Sequence, residues 1–247
     1  MPLIENVTMS AFAEGRKTCR TVILPCGAVE EHGSHLPLGT DALHAVALAG
    51  EVARVADVWV APPIYYGLCR SGSRHPGTIG IRGSTLQCLV EDILRGFHQQ
   101  GLRNVLVLSG HAGWTHMAAL ADACERVLFE FDDLKIAVLS VLDIGAAVWT
   151  DLIETPGDSH AGEVETSLML HLHPECVTGR APEEVPTFPR HILVRNKQAF
   201  WPGGVWGNPA AGNAEKGKLF MERSVTALVE IIEKLENWSE PPESNPA

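Results

Sequence analysis

The sequence predicts an α/β fold in three layers, a largely parallel sheet sandwiched between helices, and three observations carry that prediction. Short β-branched runs alternate with amphipathic stretches along the chain. The run Val105-Leu106-Val107-Leu108 is apolar at every position, as a strand covered on both faces must be. Single helical segments separate successive strands, which requires right-handed βαβ crossovers.

The elements follow in order. Thr21-Val22-Ile23-Leu24 reads as the first strand. A helix over residues 41–55 comes next, with Thr40 placed to cap its N-terminus. Val58-Trp59-Val60-Ala61 is the second strand, stopped by Pro62-Pro63. Over residues 85–100, Leu86, Leu89, Val90, Ile93, Leu94 and Phe97 recur at i, i+3, i+4, i+7, i+8 and i+11, one apolar stripe. Ser84 and Gln87 have capping-box spacing there, and Gly101 supplies the stop. Residues 104–108 form the third strand, followed by Gly110-His111-Ala112-Gly113-Trp114 and a helix to about 129. A fourth strand covers 135–142, a helix runs from about 162 to 174, and a long helix spans about 214–237. The Pro- and Ser-containing tail beyond it is expected to fray. Residues 178–213 break the rhythm: they are rich in Pro, Gly and Trp, and so long a stretch suits a functional loop or an oligomer contact. One domain over residues 1–247 is expected.

Composition excludes several classes. The formal net charge is −11 with no basic block, which disfavours nucleic acid as a partner. No apolar run approaches the roughly 18–20 residues of a membrane span. The N-terminal residues lack a basic segment followed by an apolar one, so no secretion signal is expected. Cys19, Cys26, Cys69, Cys88, Cys124 and Cys176 are scattered singly, which fits a reduced, cytoplasmic protein and argues against a thiolate zinc cluster.

Chemistry concentrates at strand ends, where open parallel sheets bind ligands. After the first strand come Glu30, His32 and Asp41; Glu30 and His32 are two apart, so an extended chain points them the same way. After the third comes His111, between Gly110 and Gly113. After the fourth come Asp158, His160, Glu163 and Glu165. Carboxylates and imidazoles gathered in this way suit a divalent metal.

These clusters, with Pro76-Gly77-Thr78-Ile79, His160-Ala161-Gly162-Glu163-Val164-Glu165-Thr166-Ser167, Gly204-Val205-Trp206-Gly207-Asn208-Pro209 and Ala214-Glu215-Lys216-Gly217, resemble the creatininase family of metal-dependent amidohydrolases over residues 20–235. The resemblance implies the family's three-layer fold and two divalent ions per subunit, zinc, manganese or iron. One ion would be held by Glu30, Asp41 and His111, the other by His32, Asp41 and one more carboxylate. Creatinine-hydrolysing members carry that carboxylate two residues after the third-strand histidine, where this chain has Gly113. Glu163 is expected to replace it, with Glu165 the competitor and otherwise a supporting carboxylate near the ligands. By resemblance His160 is the proton shuttle and a metal-bridging hydroxide the nucleophile, acting on a non-peptide amide, cyclic amide or formamide. Arg70, Arg74 and Trp114 are expected near the substrate, the arginines suiting an anionic group. Ala112, Gly113, Ser109 and Trp114 depart from the creatinine-hydrolysing pattern, which directs the reading to another small-molecule amide. The alternatives are a peptidase-like member acting on a modified peptide and a non-catalytic metal-binding or sensor protein. The resemblance also implies a homo-oligomer, typically a hexamer.

Overall fold

The computed structural model describes residues 3–240; the tail expected to fray lies mostly outside them, at 241–247. Four strands, β1 (Thr21–Cys26), β2 (Trp59–Val60), β3 (Asn104–Ser109) and β4 (Lys135–Ser140), form a fully parallel sheet in the order β2-β1-β3-β4. Among the described residues seven α-helices surround it: α1 (Met9–Gly15), α2 (Thr40–Val55), α3 (Gly83–Gln99), α4 (Trp114–Leu128), α5 (Val141–Val148), α6 (Glu163–Leu172) and α7 (Ala214–Asn237).

Alternation along the strands builds a core on each face. Val22, Leu24 and Cys26 of β1 and Val105 and Val107 of β3 pack with Phe12 of α1, Leu86, Val90 and Leu94 of α3 and Leu120 and Val127 of α4. Ile23, Leu106 and Leu108 point the other way and meet Leu48 and Val52 of α2, Ile144 of α5, Leu168 of α6 and Phe220, Leu228 and Ile232 of α7. This is the three-layer αβα sandwich, with the period of two sorting side chains between layers.

Topology places the site. The chain leaves β1 through α2 toward β2, returns through α3 on the other face, and enters β3 on the opposite side of β1. A crevice therefore opens at the carboxyl ends of β1 and β3, the switch point of the sheet. Cys26 and Ser109 are in register, so the segments carrying Glu30 and His111 emerge side by side.

Three local expectations are corrected. Thr40 is the first residue of α2 rather than its cap, and its Oγ1 donates to Pro37 O at 2.7 Å. No capping box forms at α3: its N-cap is Arg82, without a side-chain hydrogen bond, and Gln87 Nε2 donates to Asp122 Oδ2. The fourth strand stops at Ser140, whose side chain and Asp143 form a capping box that starts α5. The expected ends of α3 and α7 agree closely with the structure, Gly101 leaving α3 at φ +89° and Asn213 Oδ1 accepting Lys216 N at the start of α7.

Candidate metal centre

The segment after β1 is extended, and Glu30 and His32 both turn into the crevice. His32 Nδ1 donates to Glu30 O at 3.1 Å, which fixes the tautomer and leaves Nε2 basic. That nitrogen lies 3.1 Å from Asp41 Oδ1 and 3.5 Å from Glu165 Oε2. Asp41 comes from the first turn of α2. On its other side, His111 Nδ1 lies 3.0 Å from Glu30 Oε2 and 3.3 Å from Asp41 Oδ2. Asp41 thus stands between two groups, Glu30 with His111 and His32 with Glu165, and all five residues are buried.

The close approach depends on glycine. A Cβ at Gly110 would lie 1.9 Å from Asp41 O, so only glycine lets the end of β3 abut α2 and set His111 against Asp41. A Cβ at Gly113 would meet His111 Nε2 at 2.4 Å. With the ring so placed, position 113 has no room for a side chain, and the last carboxylate must come from elsewhere.

On α6 it is Glu165, not Glu163, whose carboxylate reaches the cluster, 3.5 Å from His32 Nε2. Glu163 faces away from the crevice: its carboxylate accepts Glu154 N and Thr155 N and pairs with Lys216 Nζ at 2.6 Å. The expectation that Glu163 completes the cluster is therefore corrected. Residues 163 and 165 are separated by about 200° around a helix, so one faces the crevice only if the other does not. The choice is set by Ala161, a buried non-glycine residue at φ +49°, whose N–H donates to Glu165 Oε2. Asp158 holds the helix start, accepting Glu163 N at 2.7 Å and Val164 N at 3.0 Å.

His160 stacks at 4.2 Å on the His32 ring. His32, His160 and Glu165 each offer a ligand atom, all within 4.8 Å of one another. His160 Nε2 donates to Glu31 O at 2.7 Å, leaving Nδ1 as the basic nitrogen. Glu31 itself turns away from Glu30 and His32, its oxygens 3.5 Å from His160 Nε2 and from His75 Nδ1. His75 in turn donates to Trp201 O at 2.7 Å, and Trp201 lies edge-on to both His75 and His160. The long segment at 178–213 therefore roofs the histidine side of the crevice.

Electrostatics fit a cation. Burial opposes the charged form of each group, yet the acids and imidazoles overrule it for one another. Glu30 is held below the usual carboxylate range by His111, and Asp41 well below it by His32 and His111. Despite burial, His32 keeps its proton well above the ordinary imidazole range, and His111 is raised to about 10. Glu165, beside His32, is lowered to about 2. The two imidazolium protons offset part of the charge of three carboxylates, which is the role a divalent ion would take over. Asp41 Oδ2, buried without a hydrogen-bond partner, is an oxygen such an ion would satisfy. Burial keeps the surrounding His35, His44 and His116 neutral, near 4, 4 and 3. His35 holds Thr166 Oγ1 at 2.9 Å, and His116 accepts Leu68 N through Nδ1 while facing Ser109 Oγ.

The expected substrate contacts are not gathered here. Trp114 is 83% exposed at the start of α4, and Arg70 and Arg74 are exposed. Arg70 lines a shallow groove with Arg82, Gln87 and Thr115 that includes none of the cluster residues. Another pocket, bounded by Glu31, Ser34, His75, Pro182, Glu184 and Gly203, touches the outer histidine side through Glu31 and His75 but is lined by none of the five cluster residues. Sequence reasoning passed over Glu31, His75 and Cys69. Glu31 sits between two ligand candidates and His75 directly precedes a quoted motif, so both could have been found by following alternation and adjacency.

Comparison with known proteins gives the same reading. The family model described as creatinine amidohydrolase matches residues 5–232. A mycofactocin precursor peptide peptidase of Mycolicibacterium smegmatis is 30% identical over 225 residues, 86% of this chain and 84% of its own length. Creatinine amidohydrolase of Pseudomonas putida is 30% identical over 230 residues, 85% of this chain and 88% of its own. A crystal structure of creatinine amidohydrolase superposes with a TM-score of 0.87 at 27% identity, covering 96% of this chain and 98% of that one. Creatininase structures in a manganese form and a zinc–zinc form match at TM-scores of 0.86 and 0.85, both at 28% identity. With the fold, the ligand nest and the family match in agreement, the chain is a member of the creatininase family of metal-dependent amidohydrolases.

Proposed function

We propose that the chain hydrolyses a C–N bond in a non-peptide amide, cyclic amide or formamide, using two divalent ions in the crevice and His160 as the proton carrier. The observation that carries this reading is Asp41, flanked by Glu30 with His111 on one side and His32 with Glu165 on the other. Glu30, Asp41 and His111 would hold one ion; His32, Asp41 and Glu165 would hold the second. Such a pair, when bound, polarises a carbonyl and makes water nucleophilic near neutral pH. The hydrogen bond from His32 to Glu30 O aims its ligating nitrogen. His160, oriented by Glu31 O, passes a proton to the departing nitrogen, which is a very poor leaving group as an anion.

Mixed carboxylate and imidazole ligands accommodate zinc, manganese or iron(II). The exposed Tyr65, Tyr66, Ile79, Ile192 and Leu193 support a homo-oligomer, with a hexamer as the proposed state. Six free cysteines support a cytoplasmic setting. Among the described residues, no helix is long and apolar enough to cross a membrane. Exposed Arg70, Arg74 and Trp114 remain proposed substrate contacts, reached if the substrate extends beyond the crevice. The peptidase-like alternative draws support from the 30% identity to the M. smegmatis peptidase.

A screen of formamides, cyclic amides and short peptides, with and without chelator, tests the proposal. Chelator-sensitive release of an amine or opening of a cyclic amide is expected. Two tightly bound metals with no chelator-sensitive hydrolysis of any amide would contradict it and favour a binding protein.

A further inference from the structure

Cys69 sits in the loop between β2 and α3, and its sulfur, Glu30 and His111 each present a ligand atom, all within 4.8 Å of one another. The residue is buried, yet it belongs to none of the three apolar clusters of the described residues. The other buried thiols near β1 have ordinary structural roles: Cys19 donates to Asp57 O at 3.1 Å and Cys26 to Leu24 O at 3.7 Å. Cys69 is free and has no such acceptor among the described residues. Its ionisable neighbours are Glu30, Asp41 and Glu31 and, in the same group, His111. A buried thiol beside a carboxylate and an imidazole, outside the three apolar clusters and without a hydrogen bond among the described residues, is poorly explained as core filling. Its backbone is well anchored, because the adjacent Leu68 N–H donates to His116 Nδ1 at 3.1 Å.

We propose that Cys69 is a sulfur ligand to the ion held by Glu30, Asp41 and His111, an inference that rests on the two-ion reading above. As the metal–sulfur bond forms, the thiol proton leaves to solvent, and the site gains one negative charge. That ion then has four protein ligands, the closed set typical of structural zinc, and a thiolate favours zinc over manganese. The ion at His32, Asp41 and Glu165 keeps three, leaving an open position beside His160 for water or substrate. The two ions then differ in their protein ligands, four with a sulfur at one and three at the other.

Cobalt(II) reports this directly. Protein produced in cobalt-supplemented medium is analysed for cobalt per chain and for near-ultraviolet sulfur-to-cobalt charge-transfer absorption. The wild-type protein is expected to carry two cobalt ions and show the absorption; Cys69→Ser is expected to keep cobalt and lose the absorption. Cobalt bound without the absorption, or an undiminished absorption in Cys69→Ser, overturns the cysteine ligand while leaving the two-ion reading intact. Failure of the wild-type protein to bind cobalt or zinc overturns both. Should Cys69→Ser not fold, zinc-edge X-ray absorption of the wild-type protein decides: a sulfur neighbour at about 2.3 Å supports the proposal, and a shell of nitrogen and oxygen alone at about 2.0–2.2 Å overturns it.

Discussion

Replacing His160 by Asn is expected to lower turnover by about 10²–10⁴-fold, the contribution of a positioned general acid–base group, with both metal ions retained. The amide of Asn can still donate toward Glu31 O, the 2.7 Å partner of the imidazole. What it lacks is a nitrogen that takes and releases a proton near neutral pH. Loss should therefore fall on kcat and spare KM. Elemental analysis beside the kinetics separates two roles, because His160 also lies within ligand range of His32 and Glu165. If one metal disappears together with activity, His160 is a ligand and the proton-carrier assignment is wrong.

Replacing Lys216 by Met is expected to destabilise the fold by about 3 kcal/mol, the low end for stranding a buried charge. Glu163 is fully buried, and Lys216 Nζ is its only side-chain cation among the described residues, at 2.6 Å. The backbone donors Glu154 N and Thr155 N remain, which keeps the loss from being larger. For a chain of this size that is a fall of roughly 6–12 °C in melting midpoint. Metal content should not change, since the pair faces away from the crevice. Adding Glu163→Gln to Lys216→Met removes the stranded charge and should recover much of the loss, a coupling that thermal melts of both single variants and the double variant measure. A Lys216→Met protein as stable as the wild type would show that Glu163 is adequately held by its backbone donors alone.

The layers of the fold were legible in the sequence wherever periodicity was strong. Leu86, Val90 and Leu94 mark the buried stripe of α3, and the apolar run at 105–108 is the two-sided core of β3. Local signals misled where tertiary partners competed for the same side chain. Gln87, placed to close a capping box, reaches across to Asp122 on α4 instead. Ser140 sat inside an apolar run that reads as a longer strand, yet its hydroxyl and Asp143 start a helix there.

The cluster at the strand ends was legible to a similar degree. Glu30, His32, Asp41 and His111 converge as their positions after strands imply, because strand register brings the loops after β1 and β3 together and Gly110 lets α2 approach them. The choice between Glu163 and Glu165 was not readable in this way. It depends on how α6 is rotated, and the left-handed turn at Ala161 and the cap from Asp158 fix that rotation. Cys69 was hidden for a related reason: the fold alone brings it beside Glu30 and His111, and a single thiol carries no periodic signature.

Metal content of two single variants separates the roles of the two α6 glutamates. Glu165→Gln is expected to bind one divalent ion per chain where the wild type binds two, because it removes the carboxylate 3.5 Å from His32 Nε2. Glu163→Gln is expected to bind two, since its carboxylate serves Lys216 and the 154–155 backbone. Full occupancy in Glu165→Gln with loss of an ion in Glu163→Gln would contradict the account.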